Sequence, residues 1–117
     1  MVVASDRCLD LYEMDNMMKT FEICKNLETG KFRNPKTFIS ENEDSIVFTP
    51  DYSTIHVYRN IISRDSEGEL QNNWKKIQKI NLSISLNHIE MTTNFEFMVV
   101  ATTRGFLSIR RLNYGTN

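Results

Sequence analysis

The sequence predicts an all-β, antiparallel fold of about ten short strands. Three observations support this fold class. Apolar and polar residues alternate with a period of two, turn-forming residues separate the alternating runs, and one strand–turn–strand phrase occurs three times, starting at Val2, Ser45 and Met98. Side chains leave a strand on opposite faces, so this alternation is typical of half-buried strands. A phrase repeated at this spacing indicates an array of small sheets.

The first copy of the phrase predicts two strands, and a third strand follows it. Leu9 and Leu11 alternate with Cys8, Asp10 and Tyr12, as expected of a strand with one buried face. Valine, isoleucine, threonine, tyrosine and phenylalanine, which suit a pleated surface, are frequent in the predicted strands. The predicted strands of this part span residues 2–5, 8–14 and 19–24. A short helix within residues 13–25 is the alternative.

The middle copy contains the strongest turn signal of the chain. Pro50 presets its own backbone angle and Asp51 can bond to the nearby backbone, so a turn is expected there. Beyond the turn, Ile55 and Val57 alternate with polar residues. The predicted strands of this part span residues 36–40, 45–49, 54–60 and 74–82. In the last of these, apolar residues also recur at a helical spacing, so a helix is the alternative there.

The third copy repeats the same pattern near the end of the chain. Leu107 and Ile109 alternate with Ser108 and Arg110. Gly105 precedes them, and a glycine can adopt the positive φ that a tight turn needs. The predicted strands of this part span residues 88–93, 97–102 and 106–112.

The composition is that of one ordinary globular domain. The chain has 117 residues, is 40% hydrophobic and 25% charged, and carries a formal net charge of −1. This charge gives no electrostatic support for binding nucleic acid, and no apolar run is long enough to span a bilayer. Two cysteines are too few for a disulfide framework, and the first residues do not resemble a secretory signal. We therefore expect a cytoplasmic protein with reduced thiols.

The residues that could carry chemistry are scattered. His56 and His88 are the two histidines, and Cys8 and Cys24 are the two cysteines. No pair among them has the spacing of metal ligands or of a nucleophile with its base. The acidic loop at residues 65–69 lacks the ligand order of a calcium-binding loop. The sequence therefore predicts no enzyme activity, no cofactor and no metal site.

The spacing of the three copies supports a family resemblance. Leu9, Ile55 and Leu107 align, with separations of 46 and 52 residues. Blades of WD40-repeat propellers are about 40–45 residues long. Each ends in an aspartate, two residues, an aliphatic residue, two residues and then Trp-Asp. The chain resembles a degenerate WD40-repeat segment, most like the large scaffold WD-repeat proteins such as those of cilia and flagella.

The resemblance implies structural roles at the repeat positions. Tyr12, Tyr58 and Arg110 stand where the tryptophan of each blade would be, and no Trp-Asp dipeptide occurs. Asp6 is the one aspartate in its expected place. The full set of repeat positions is Asp6, Leu9, Tyr12, Ile55, Tyr58, Gly105, Leu107 and Arg110.

The resemblance also implies roughly two and a half propeller blades within one all-β segment, residues 1–117. Residues 1–25 would form a partial blade, residues 36–86 a full blade and residues 87–117 a second partial blade. Stacked sheets bury their faces against neighbours, so some apolar faces and strand edges would stay open. Three explanations are open. The chain is a piece of a longer protein, it is a small subunit that docks onto another chain, or its strands close into a small sandwich or barrel.

The implied function is that of a non-catalytic protein-interaction scaffold in a cytoskeletal or ciliary assembly. The expected partners are other protein chains, one of which completes the propeller or its sheet edges. Trp74, Arg110 and Arg111 are the predicted partner contacts. The alternative function is that of a self-contained barrel or sandwich that binds a peptide or a small ligand.

Overall fold

The computed structural model describes residues 1–4, 8–12, 16–25, 32–42 and 44–112. Strands are the only regular elements within these ranges, and none of the described residues forms a helix that could cross a membrane. The strands are β1 (Val2–Ala4), β2 (Cys8–Tyr12), β3 (Lys19–Lys25), β4 (Lys36–Ile39), β5 (Ser45–Thr49), β6 (Thr54–Asn60), β7 (Ser63–Arg64), β8 (Leu70–Gln71), β9 (Trp74–Asn81), β10 (Leu86–Met91), β11 (Phe97–Thr102) and β12 (Leu107–Arg111).

The strands form three main antiparallel sheets and one small hairpin. The first sheet has the order β1-β2-β3, the middle sheet β4-β5-β6-β9 and the third sheet β10-β11-β12, while β7 pairs with β8. The predicted all-β, antiparallel fold is confirmed. No sheet in the described part of the chain closes on itself, so the alternative expectation of a closed barrel is wrong.

All ten predicted strands are present, and their grouping into three, four and three strands follows the predicted order. The helix alternatives are wrong, because residues 19–25 pair with β2 and residues 74–81 pair with β6. The short strands β7 and β8 were not predicted. They lie in the polar connection between β6 and β9, where both residues of each strand are exposed and no alternation marks them.

The middle sheet is buried on both faces by the sheets beside it. Successive residues of β5 point in opposite directions, so Ile46 and Phe48 face the first sheet while Val47 faces the third. This explains why every residue of β5 is buried. The cluster between the first and middle sheets contains Leu9, Ile46, Phe48, Tyr58 and Trp74. The cluster between the middle and third sheets contains Val47, Ile55, Val57, Leu86, Ile89, Phe95, Met98, Val100 and Leu112.

The middle and third sheets share one pairing register, shifted by 52 residues. Phe38 pairs with Val47 across β4 and β5, and Glu90 pairs with Val99 across β10 and β11. Every β4–β5 pair from Thr37↔Phe48 to Ile39↔Ile46 has its counterpart at this shift. The four pairs between β5 and β6 recur between β11 and β12 in the same way. The sequence repeat is therefore a structural repeat.

The turns that join these strands repeat as well. The Ser40 Oγ accepts a hydrogen bond of 3.0 Å from the Ser45 N–H, and the Thr92 Oγ1 accepts one of 3.0 Å from the N–H of Phe97. Each hydroxyl also lies within hydrogen-bonding distance of the side-chain oxygen of an asparagine two residues later, at Asn42 and Asn94. Serine and threonine share this role because both carry a hydroxyl on Cβ.

Candidate functional site

The outer face of the third sheet is the main apolar surface that no described residue covers. Val99 pairs with Ile109 and Ala101 pairs with Leu107, so these four side chains share one face. The opposite face, which includes Met98, is buried against the middle sheet. On the outer face, Leu107 is 69% exposed and Ile109 is 68% exposed. Adjacent exposed aliphatic side chains form an apolar patch, which is typical of an interaction surface.

The equivalent positions of the other two sheets are covered. Leu9 in the first sheet and Ile55 in the middle sheet are both fully buried. Leu9 lies in the cluster with the middle sheet, and Ile55 lies in the cluster with the third sheet. Each sheet therefore presents the same aliphatic position to the sheet that follows it. Leu107 presents that position to solvent, as far as the described residues show.

The backbone of β12 presents an open hydrogen-bonding edge beside this face. The N–H of Leu112 donates to the Glu96 carbonyl at 2.9 Å, and the Phe106 carbonyl accepts from Thr102 at 2.9 Å. Even-numbered residues of this segment therefore bond to β11. Backbone groups alternate in direction along a strand, so those of Leu107, Ile109 and Arg111 point the other way.

In the other two sheets this edge is paired. β6 pairs with β9 over its whole length, and β2 pairs with β3. No strand in the described ranges pairs with β12 on its outer side. The third sheet thus lacks, within those ranges, the fourth strand that the middle sheet has.

Charged groups border the exposed aliphatic face. The Arg111 guanidinium lies 3.0 Å from a carboxylate oxygen of Glu96 at one end of β12. On β10, an imidazole nitrogen of His88 lies 2.8 Å from the Glu90 carboxylate. Arg110 is also exposed on β12, but it pairs with Met98 and therefore lies on the opposite face of the sheet. An apolar centre with a polar rim is the usual composition of a protein–protein contact.

The imidazole of His56 lies in an aromatic stack on the middle sheet rather than at this face. Its ring centroid is 6.2 Å from that of Phe48 and 6.3 Å from that of Tyr58. Burial, together with the positive charges of Lys76 and Lys79, lowers the pKa of His56 to about 4. The imidazole is therefore neutral near pH 7, and its surroundings are those of a packed core residue.

A polar cleft of about 450 Å³ lies between the two equivalent turns, and its lining includes Ser40, Asp44 and Asn94. These three side chains bond within their own turns. The Asp44 carboxylate accepts from Ser40 at 2.9 Å, and the Asn94 side-chain oxygen accepts from Thr92 at 2.7 Å. Groups that are bonded in this way are less free to turn toward a ligand. The cleft is a weaker candidate for a binding site than the third sheet.

The predicted repeat residues take three kinds of position. Leu9, Ile55 and Tyr58 are buried between sheets, while Tyr12 is half-buried on β2. Gly105 has a φ of +82° in the β11–β12 turn, as predicted. Asp6 lies outside the described residues. Leu107 and Arg110 are exposed on β12.

The predicted partner contacts also include both exposed and buried residues. Both arginines are exposed on β12: Arg111 borders the outer face, and Arg110 lies on the opposite face of the same edge strand. Trp74 is buried in the cluster between the first and middle sheets, so its burial removes it from the contact surface. Sequence reasoning did not assign Ile109 to the site. The alternating pattern places Ile109 on the same face as Leu107, but it does not show whether a neighbouring sheet covers that face.

The described histidines, cysteines and carboxylates do not gather into a group of three or more that could hold a metal ion. Cys8 is half-buried on β2. The side chain of Cys24 lies outside the described part of the structure.

Comparison with protein-family models found no match, and comparison with curated proteins found none either. The internal repeat provides the comparison instead. Leu9 and Ile55 occupy the position equivalent to Leu107, and a neighbouring sheet packs on each of them.

Proposed function

We propose that this chain is a non-catalytic protein-interaction module of WD-repeat type, and that the outer face of its third sheet binds a β-sheet of a partner protein. The partner supplies an apolar sheet face that packs on Leu107 and Ile109. The contrast in burial carries the proposal: the same aliphatic position is fully buried at Leu9 and Ile55 but 69% exposed at Leu107.

The middle of the molecule indicates what chemistry the partner face has. The third sheet covers Ile55 and Val57 of the middle sheet with Ile89, Met98 and Val100. A partner face of similar aliphatic composition fits the outer face of the third sheet for the same reason. Burying a leucine or isoleucine side chain contributes about 1.5–3 kcal/mol, so the two exposed side chains supply a substantial part of a binding free energy.

The resemblance to WD-repeat propellers supports the same type of partner. Propeller blades are four-stranded sheets that stack face to face. The three sheets of this chain stack through two apolar clusters, and two of them share one register. A cytoplasmic scaffold role, with a cytoskeletal or ciliary setting, is part of the proposal and rests on the resemblance alone.

A binding role fits the chemistry of the site better than a catalytic one. What β12 offers to solvent is aliphatic carbon, arginine side chains and backbone amides. Aliphatic side chains and backbone amides contribute packing and hydrogen bonds, which are the interactions of a protein–protein contact.

The test begins with a photo-crosslinking amino acid at position 109, in the full chain expressed in cells of its source. A second crosslinker at position 62 is the matched control, because Ile62 is also exposed, at 57%, but belongs to the connection between β6 and β7 and not to the third sheet. The proposal predicts a protein adduct at position 109 that position 62 does not give. Equal adducts at both positions, or an adduct only with a second copy of this chain, would contradict it.

The protein captured at position 109 is then purified and its affinity measured. The double variant Leu107→Ser with Ile109→Ser should weaken binding by about thirtyfold or more, because it removes most of two buried aliphatic side chains. The matched variant Ile62→Ser with Leu70→Ser changes two side chains of similar exposure and should leave the affinity unchanged. Equal losses in both variants would mean that the outer face is not the site.

A further inference from the structure

We propose that the open edge of β12 receives an extended strand from the partner, antiparallel to β12 and in the register in which β9 pairs with β6. The inference rests on the proposed function, because it specifies how the partner reaches the third sheet. It adds a backbone contact at the edge to the side-chain contact on the face.

The edge has the hydrogen-bonding groups that such a strand needs. The backbone groups of Leu107, Ile109 and Arg111 point away from β11, as the bonds at Leu112 and Phe106 show. The same alternation occurs in the middle sheet. There the N–H of Asn60 donates to the Asp44 carbonyl, on the side of β5. The N–H of the next residue, Ile61, donates to the Asn73 carbonyl, on the side of β9. An added strand is the usual partner for such an edge, since it forms hydrogen bonds with the backbone N–H and C=O of every second residue.

The middle sheet provides a template for the register. Ile55 pairs with Ile80 across β6 and β9, and Arg59 pairs with Lys75 nearer the start of β9. Ile55 and Leu107 are equivalent because β5–β6 and β11–β12 share one register. In the first sheet, the residue opposite Leu9 is Cys24. The partner strand should therefore place an apolar residue opposite Leu107.

Charge specifies the other end of the strand. Arg110 and Arg111 lie at the end of β12, and the hairpin before it carries Arg104. Within the described residues, Glu96 is the one carboxylate that pairs with any of these arginines. Opposite charges across a strand pair are stabilising and like charges are destabilising. The beginning of the partner strand, which lies opposite Arg110 and Arg111, should therefore be acidic.

A peptide derived from β9 is the probe. It has the sequence of residues 74–81 with Lys75→Glu and Lys76→Glu, which makes its beginning acidic and keeps Ile80 opposite Leu107. The matched control peptide keeps both lysines. Amide hydrogen exchange of the full chain is followed by NMR with and without each peptide. The readout is specific, because edge pairing acts on the amides of Leu107, Ile109 and Arg111 and not on their neighbours that already bond to β11.

The proposal predicts that saturating acidic peptide slows exchange at these three amides by about tenfold or more, and that the lysine peptide binds several times more weakly. The variant Ile109→Pro should remove peptide binding while Trp74 keeps its native fluorescence, because the missing N–H is one that faces the open edge. Absence of slowed exchange at saturation, or equal binding of the two peptides, would overturn the inference.

Two further outcomes separate this inference from the proposed function. If the peptide shifts the methyl resonances of Leu107 and Ile109 but protects none of the three amides, the face binds and the edge does not. The edge inference is then wrong and the proposed function stands. If the three amides are already protected in the free protein, the edge is occupied without a partner, which overturns the inference. Sedimentation velocity then shows whether a second copy is the occupant.

Discussion

Ile55 and Leu107 occupy equivalent positions 52 residues apart, and a neighbouring sheet covers Ile55 but no described residue covers Leu107. The pairing registers around the two residues are the same, and both are large aliphatic residues near the start of a strand. Their exposed fractions are 0% and 69%. The difference therefore comes from what packs beside each sheet and not from the sheets themselves.

Substitution of these two residues should affect stability very differently. Ile55→Ala should lower the free energy of unfolding by about 2–5 kcal/mol, because it leaves a cavity between the middle and third sheets. Leu107→Ala should change it by no more than about 0.5 kcal/mol, because the side chain contacts mainly solvent. Urea denaturation of the isolated chain measures both. An equal loss in the two variants would show that Leu107 is packed in solution.

The turn hydroxyls should be interchangeable between the repeats. Ser40→Thr and Thr92→Ser keep a hydroxyl that accepts from the backbone N–H five residues later, so each should change stability by less than about 0.5 kcal/mol. Ser40→Ala should cost about 1–3 kcal/mol, because the buried Ser45 N–H and the N–H of Asp44 lose their acceptor. Thermal unfolding of the three variants checks this. A Ser40→Thr variant as unstable as Ser40→Ala would mean that the turns are not equivalent.

Stability should fall in mildly acidic solution because of His56. Its pKa is lowered from 6.5 to about 4 in the folded protein, so the unfolded chain binds a proton more readily than the folded chain. The contribution of the neutral His56 imidazole to the free energy of unfolding is fully present above pH 6.5 and is lost as the pH falls through about 4. The imidazole is partly exposed, so solvent screening reduces the expected loss to about 1–2 kcal/mol.

The variant His56→Gln isolates this effect from the carboxylates that titrate in the same range. The pH dependence of its unfolding free energy should be flatter than that of the unmodified protein between pH 6.5 and 4. Asn87→Gln is the control, because Asn87 is exposed on β10 and carries no titratable side chain, so it should leave the dependence unchanged. If His56→Gln and the unmodified protein follow parallel curves, the imidazole does not have the lowered pKa.

The strands could be predicted because their signal is local. Alternation such as that of Ile55 and Val57 reflects one buried face, and the flanking turn at Pro50 marks where the strand begins. The hairpin of β7 and β8 lacks this signal, since each strand has two exposed residues. Trp74 was assigned to a partner contact because its position after a long polar loop does not reveal that it packs between two sheets.

The candidate site was less predictable because its defining properties are not local. Leu107 and Ile109 have the same pattern as Ile55 and Val57, and only the arrangement of neighbouring sheets separates the exposed pair from the buried pair. The open edge of β12 consists of backbone groups, which every strand has, so no residue type marks it. The exposure of Arg110 and Arg111 could be predicted because charged residues rarely lie in a core.

Hydroxyl-radical footprinting of the full chain, isolated and within its native assembly, shows whether a partner sheet covers the outer face of the third sheet. We predict that oxidation of Leu107 and Ile109 slows by about fivefold or more in the assembly, because a partner sheet excludes water from the face. Oxidation of Ile62 and Leu70, which are similarly exposed on the hairpin and its connection, should stay as fast as in the isolated chain. Equal oxidation of Leu107 and Ile109 in both states would contradict the claim.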